Sequence, residues 1–139
     1  MKNSKKIKIH VKNNHWAPGS FPSDAEGEKN FTITKEHLDK ALKSFPEIKE
    51  KVEFFIDWDE DNFIASMSNS DVLLTWNFST KNLKKIAPNL KWIHLISAGV
   101  EHLFPLDWMY DGLVLTNSSG VHAKNAGEYG LMSILMLQR

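Results

Sequence analysis

The stretch Asp71-Val72-Leu73-Leu74-Thr75-Trp76 decides the fold class of this chain. Its continuous apolar run lacks polar alternation, which is typical of a strand covered on both faces, as in a parallel sheet. Four more short apolar segments predict strands at residues 7–11, 52–56, 90–96 and 113–115. Because helical segments alternate with these strands, the sequence predicts an α/β domain with a parallel sheet of about five strands and flanking helices.

Helix signals lie between the predicted strands. Thr34 is a suitable N-cap, and apolar residues recur at helical spacing after it until Pro46 stops the helix. Ser79 is expected to cap another helix, which Pro88 ends. The prediction is therefore helices at residues 34–45, 62–67, 79–87 and 122–139, with a long loop at residues 13–31.

Composition narrows the class of protein. The 139 residues suit one domain, and 17 basic residues balance 17 acidic ones, so neither nucleic acid nor an anionic membrane is expected as a partner. The chain has no cysteine, and its six histidines show no metal-ligand spacing, so no metal site is predicted. No secretory signal follows the lysine-rich start, and the apolar run at residues 131–137 is far shorter than the roughly 20 residues that span a bilayer. A cytoplasmic protein is expected.

The turn Ser97-Ala98-Gly99-Val100 follows the fourth predicted strand directly. In parallel α/β sheets, ligands bind beyond the carboxyl ends of the strands. Ala98 and Gly99 let a ligand approach the main chain, and the amides of Gly99 and Val100 could donate to a carboxylate. A tight connection without a ligand is the alternative, and the turn by itself favours that alternative slightly.

The last predicted helix combines small residues with a strongly apolar end. Ala123, Ala126, Gly127 and Gly130 lie on one stripe, because they are three or four positions apart. Beyond them, large apolar side chains point all round the axis, and burying each is worth roughly 1.5–3 kcal/mol. The helix is therefore expected to be covered by a second domain or a second copy of the chain.

Several motifs together carry a family resemblance. Four segments resemble, in order and spacing, those of the D-isomer-specific 2-hydroxyacid dehydrogenases. They are Leu90–Glu101, Leu115-Thr116-Asn117, Gly120–Ala123 and Gly127-Glu128-Tyr129. The resemblance covers residues 70–139, whereas earlier residues match only in their strand-helix pattern. In three positions the chain departs from the family: Glu101 replaces the commoner aspartate, Gly127 the commoner alanine, and His94 a frequent glutamine.

The resemblance implies a two-domain enzyme that moves a hydride between NAD or NADP and a small 2-hydroxy or 2-keto acid. Residues 1–121 would form a flavodoxin-like substrate-binding domain, and residues 122–139 a connecting helix toward a Rossmann cofactor domain. The chain contains no G-x-G-x-x-G motif, and the family's catalytic residues belong to that second domain. No catalytic residue is therefore expected within residues 1–139, and the chain alone is expected to be inactive.

The resemblance also assigns site residues. The backbone of Ala98, Gly99 and Val100 would bind the substrate carboxylate, and His122 would lie near the substrate. The small residues Ala123 and Ala126 would approach the nicotinamide, and a homodimer is expected.

Two other classes of function compete with the enzyme. One is a non-catalytic binding or dimerisation module derived from the same family. The other is a phosphoacceptor receiver domain, which needs an aspartate at the end of the third strand. Because that strand ends in Thr75-Trp76-Asn77, the sequence disfavours a receiver domain.

Overall fold

A computed structural model describes residues 5–20, 25–60 and 62–138 of the chain. Its five strands are β1 (Ile7–Asn13), β2 (Val52–Trp58), β3 (Val72–Thr75), β4 (Trp92–Leu95) and β5 (Val114–Asn117). They form one sheet in the order β2-β1-β3-β4-β5, and every neighbouring pair is parallel. The predicted fold class is confirmed: the chain is an α/β protein with an all-parallel five-stranded sheet, consistent with a flavodoxin-like fold.

Helices connect the strands. They are α1 (Ala25–Phe31), α2 (Lys35–Ser44), α3 (Pro46–Lys49), α4 (Phe63–Met67), α5 (Leu83–Ile86) and α6 (Ala123–Leu137). Thr34 caps α2 as predicted, since its hydroxyl accepts a hydrogen bond from the His37 amide at 3.3 Å. Within the described ranges, no helix is both long and apolar enough to cross a bilayer.

Two local predictions are wrong. Residues 13–31 are not all loop, because they include α1. This helix is largely polar, so the sequence has no apolar stripe there that would have predicted it. The ring of Phe31, at its end, instead makes an edge contact with Trp76 at 4.9 Å between centroids. Ser79 does not cap α5. The residue before this helix is Asn82, which adopts a left-handed backbone conformation with φ 57°, so the helix begins three residues later than expected. Asparagine tolerates this conformation better than most residues.

The core lies on one face of β3 and β4. Leu73 and Ile93 pair in register across these strands, and both are fully buried. Helix α4 contributes Phe63 and Met67 to the same cluster, and α5 contributes Leu83. These short helices therefore pack against β3 and β4 at the centre of the sheet. The turn at residues 97–100 directly follows β4.

The opposite face of the sheet is open at its β4–β5 side. Trp92 and Val114 pair in register there and are 43% and 53% exposed. Helix α6 follows β5, yet it buries none of its residues, and Leu137 near its end is 84% exposed. The described part of the chain thus leaves both an apolar helix and part of an apolar sheet face uncovered.

His10 is a buried titratable residue at the middle of β1. Its ring lies between Phe55 and Phe63, and its Nδ1 is hydrogen-bonded to the Ser66 hydroxyl. Its Nε2 is buried and has no hydrogen-bond partner among the described residues. Burial lowers the pKa of His10 from 6.5 to about 4, while Asp57 raises it and Lys12 lowers it further, both by smaller amounts.

We expect His10 to make folding stability depend on pH. The pKa is lower in the folded than in the unfolded chain, so the unfolded chain binds the proton first as the pH falls from 6.5 toward 4. This residue alone should reduce the free energy of unfolding by roughly 3 kcal/mol over that range. Urea denaturation at several pH values should show a shallower pH dependence for His10→Gln than for the wild type. Equal slopes would contradict a buried neutral His10.

Candidate functional site

The turn at residues 97–100 lies at the carboxyl end of β4, where it was predicted. Its carbonyls are all engaged: the Ser97 carbonyl accepts from the Ser118 amide at 2.9 Å, and that of Val100 from the Leu103 amide at 3.0 Å. The Ala98 carbonyl accepts from Asn117 Nδ2 at 2.9 Å, and the Gly99 carbonyl accepts from Ser97 Oγ at 2.8 Å. The turn is therefore held through its carbonyl groups.

The amides of Ala98, Gly99 and Val100 contrast with these carbonyls. Among the hydrogen bonds of residues 5–20, 25–60 and 62–138, none has the N–H of Ala98, Gly99 or Val100 as donor. Successive unpaired backbone N–H groups carry partial positive charge and form a concave site for an anion. The described residues thus leave three successive backbone donors at the turn.

Glu101 lies against the same turn. A Cβ atom added at Gly99 would overlap the Glu101 carboxylate, so the lack of a side chain at Gly99 is what allows this approach. The carboxylate comes from an exposed side chain and can move without disturbing the core. A negative charge beside the turn nevertheless opposes an incoming anion, and the ligand must displace or outcompete it.

The other predicted site residues are at the start of α6. His122 directly precedes the helix, its side chain forms no capping hydrogen bond, and it is exposed. Ala123 and Ala126 are exposed in the first turns of α6. The bonds from Asn117 and Ser118 bring the segment before α6 to the turn, but no hydrogen bond between described residues joins the His122 side chain to it.

His94 connects β4 to the same segment. Its Nδ1 lies 2.9 Å from Thr116 Oγ1, and its Nε2 lies 3.4 Å from Ser118 Oγ. Burial lowers the pKa of His94, which favours the neutral form of its ring. His94 thus links strands at the open side of the sheet.

Lys12 lies near the carboxyl ends of β1 and β3, the two strands between which the strand order reverses. Its side chain is 2% exposed, its Nζ donates to the Asn77 carbonyl at 2.9 Å, and it lies 3.4 Å from Glu60 Oε1. The Thr75 hydroxyl and Asn14 Nδ2 donate to the same carbonyl. This reversal is where ligands often bind in such folds, yet here the protein's own groups occupy it. The backbone donors that have no partner among the described residues lie beyond β4 instead.

Sequence reasoning did not find the side chains that hold the turn. Ser97 and Asn117 belong to the sequence motifs, but the bond from Asn117 to the Ala98 carbonyl forms only because β4 and β5 are adjacent, whereas the bond from Ser97 to the Gly99 carbonyl is local. The only available signal was that each is polar and stands at the end of an apolar strand. Lys12 had the same signal at the end of β1 and was also missed.

In the ranges that the structure describes, no group of three or more His, Cys, Asp or Glu side chains is placed to hold a metal ion. Comparisons with protein-family models, curated proteins and solved structures found no match to this chain. The geometry of the turn and the sequence motifs are therefore the features of this chain that bear on its function.

We expect Ser97 to control the shape of the turn. Ser97→Ala removes the donor to the Gly99 carbonyl and should lower the free energy of unfolding by about 1 kcal/mol. NMR spectra should show displaced amide signals for Ala98, Gly99 and Val100, and Ser97→Thr should restore them because it keeps the hydroxyl.

Ser70→Ala is the matched control for this experiment. Ser70 is also buried and its hydroxyl also donates to a backbone carbonyl, that of Ser66 at 2.9 Å. It should cost similar stability without moving the amide signals of the turn. If Ser97→Ala left the amide signals of Ala98, Gly99 and Val100 unchanged, Ser97 would not control the shape of the turn.

Proposed function

We propose that this chain binds the carboxylate of a small 2-hydroxy or 2-keto acid on the turn Ala98-Gly99-Val100. The observation that carries the proposal is the asymmetry of that turn: its four carbonyls accept bonds, while three successive amides donate none within the described residues. Two or three amide donors match the two oxygens of one carboxylate. Such binding would hold the acid with its C2 carbon in a defined orientation.

We further propose that the chain is the substrate-binding part of a D-2-hydroxyacid dehydrogenase in the cytoplasm. The support is the motif resemblance over residues 70–139, together with a parallel sheet of the expected kind. NAD or NADP would supply the hydride acceptor or donor, and would be bound mainly by another domain. In this chain, the exposed small residues Ala123 and Ala126 leave room for a flat ring, whereas no glycine-rich phosphate loop is present. His122 would contact the substrate from the start of α6.

The carboxylate proposal predicts a specific NMR response. Titrating the 15N-labelled chain with sodium pyruvate should shift the amide signals of Gly99 and Val100 most, because these groups would become donors. Glu101→Gln should strengthen binding severalfold, because it removes the competing negative charge beside the turn. Sodium chloride at equal ionic strength is the control. The proposal would be refuted if chloride shifted the amide signals as much as pyruvate does, or if pyruvate did not shift the signals of Gly99 and Val100.

The same protein is expected to show no catalysis by itself. Purified residues 1–139 mixed with NADH and pyruvate should leave the absorbance at the nicotinamide band unchanged, because the chain has no phosphate loop. Measurable oxidation of NADH would contradict the assignment of the cofactor to another domain.

A dimerisation module is the second candidate function, and the exposed helix α6 favours it. The side chains of Leu131, Ile134 and Leu135 are each about 60% exposed. Monomeric proteins rarely leave so continuous an apolar surface in water. A second copy of the chain could cover this surface, which also agrees with the expected homodimer.

Self-association through α6 can be measured directly. Leu135→Glu should shift the chain toward monomer in sedimentation experiments, while its thermal midpoint in the monomeric range should stay close to the wild-type value, because the residue lies outside the core. Lys124→Glu is a control for a charge change elsewhere on the same helix, since Lys124 lies in the first turn of α6, about three turns before Leu135. Identical association of the wild type and Leu135→Glu would exclude α6 as the interface.

A further inference from the structure

Asn117 makes two hydrogen bonds to different segments through one planar amide group. Its Nδ2 donates to the Ala98 carbonyl in the turn at 2.9 Å. Its Oδ1 accepts from the backbone amide of Ser119 at 3.2 Å, in the segment that leads to α6. Because the two atoms belong to a rigid group, a shift of one bond moves the geometry of the other.

The position of Asn117 in the sheet makes this bridge firm. It is the last residue of β5 and pairs in register with Leu95, the last residue of β4. Ser118 strengthens the same junction, since its amide donates to the Ser97 carbonyl at 2.9 Å and its hydroxyl to the Leu95 carbonyl at 3.2 Å. The backbone beyond Ser119 turns at Gly120, with φ 93°, and continues into α6.

We infer that Asn117 is a positioning residue that couples occupancy of the turn to the conformation of the segment before α6. Holding the Ala98 carbonyl inward directs the neighbouring amides outward, toward a ligand. Holding the Ser119 amide sets the direction in which the chain leaves β5. A carboxylate bound to the turn would therefore also change the conformation of residues 118–122 through the Asn117 side chain. The ligand part of the inference rests on the proposed function; the coupling itself does not.

Two variants of Asn117 separate its two bonds. Asn117→Ala removes both, so the chain without ligand should show changed amide signals at Ala98–Val100 and about fivefold faster hydrogen exchange at the Ser119 amide, the fold-change expected for one hydrogen bond. Asn117→Asp keeps the acceptor and loses the donor. It should disturb Ala98–Val100 while leaving Ser119 protected, and it provides a second test if the alanine variant does not fold.

Asn89→Ala is the matched control. Asn89 Nδ2 also donates to a backbone carbonyl, that of Ser68 at 3.0 Å, but in a part of the chain away from the turn. Its loss should leave the signals of Ala98–Val100 and Ser119 unchanged. If Asn117→Ala also leaves them unchanged, the coupling is overturned whether or not any ligand binds.

The pyruvate titration distinguishes the coupling from the proposed function. With the wild type, shifts at Gly99 and Val100 should be accompanied by shifts at Ser119, and Asn117→Ala should weaken pyruvate binding about fivefold and abolish the shift at Ser119. Asn89→Ala should bind pyruvate as the wild type does. A wild type that binds no pyruvate, while Asn117→Ala still disturbs both segments, would refute the carboxylate site and keep the coupling. Pyruvate shifts at the turn without any at Ser119 would refute the coupling and keep the site.

Discussion

Parallel pairing of β3, β4 and β5 is the constraint on which the rest of this structure depends. In a parallel sheet all carboxyl ends meet at one edge, so the turn after β4 and the segment after β5 become neighbours although they are about twenty residues apart. This adjacency lets Asn117 and Ser118 bind the carbonyls of the turn. Without it, Ala98–Val100 would be a short connection with no fixed orientation.

Orientation of backbone dipoles gives the turn its chemistry. A peptide group has one donor and one acceptor, and here the protein binds the acceptors of residues 97–100 and leaves the donors of residues 98–100 unused within the described chain. Each carbonyl of residues 97–99 shares a peptide group with the N–H of the next residue. Hydrogen bonds to these carbonyls therefore fix the direction of the N–H groups of residues 98–100. No cationic side chain is needed for this arrangement, in contrast to the reversal between β1 and β3, where Lys12 is buried against the Asn77 carbonyl.

Two apolar surfaces stay uncovered by the described residues. The large apolar residues in the second half of helix α6 face solvent. The sheet face at Trp92 and Val114 is also open. Burial of such side chains stabilises proteins by roughly 1.5–3 kcal/mol each, so both surfaces are suited to contact with another domain or another copy.

The sequence by itself determined the class of the fold, most of the strands and helices, and the place of the turn. These depend on local patterns: continuous apolar runs such as Val72–Leu74, the N-cap at Thr34, and small residues after β4. It missed α1, because a polar helix has no apolar stripe, and it misplaced the start of α5, because Asn82 adopts an uncommon conformation. Only the tertiary structure decided that Asn117 holds the Ala98 carbonyl of the turn and that Lys12 is buried against the Asn77 carbonyl at the carboxyl ends of β1 and β3. Those features arise from contacts between residues far apart in the chain, and no local pattern encodes which strands are neighbours or which groups meet when they pair.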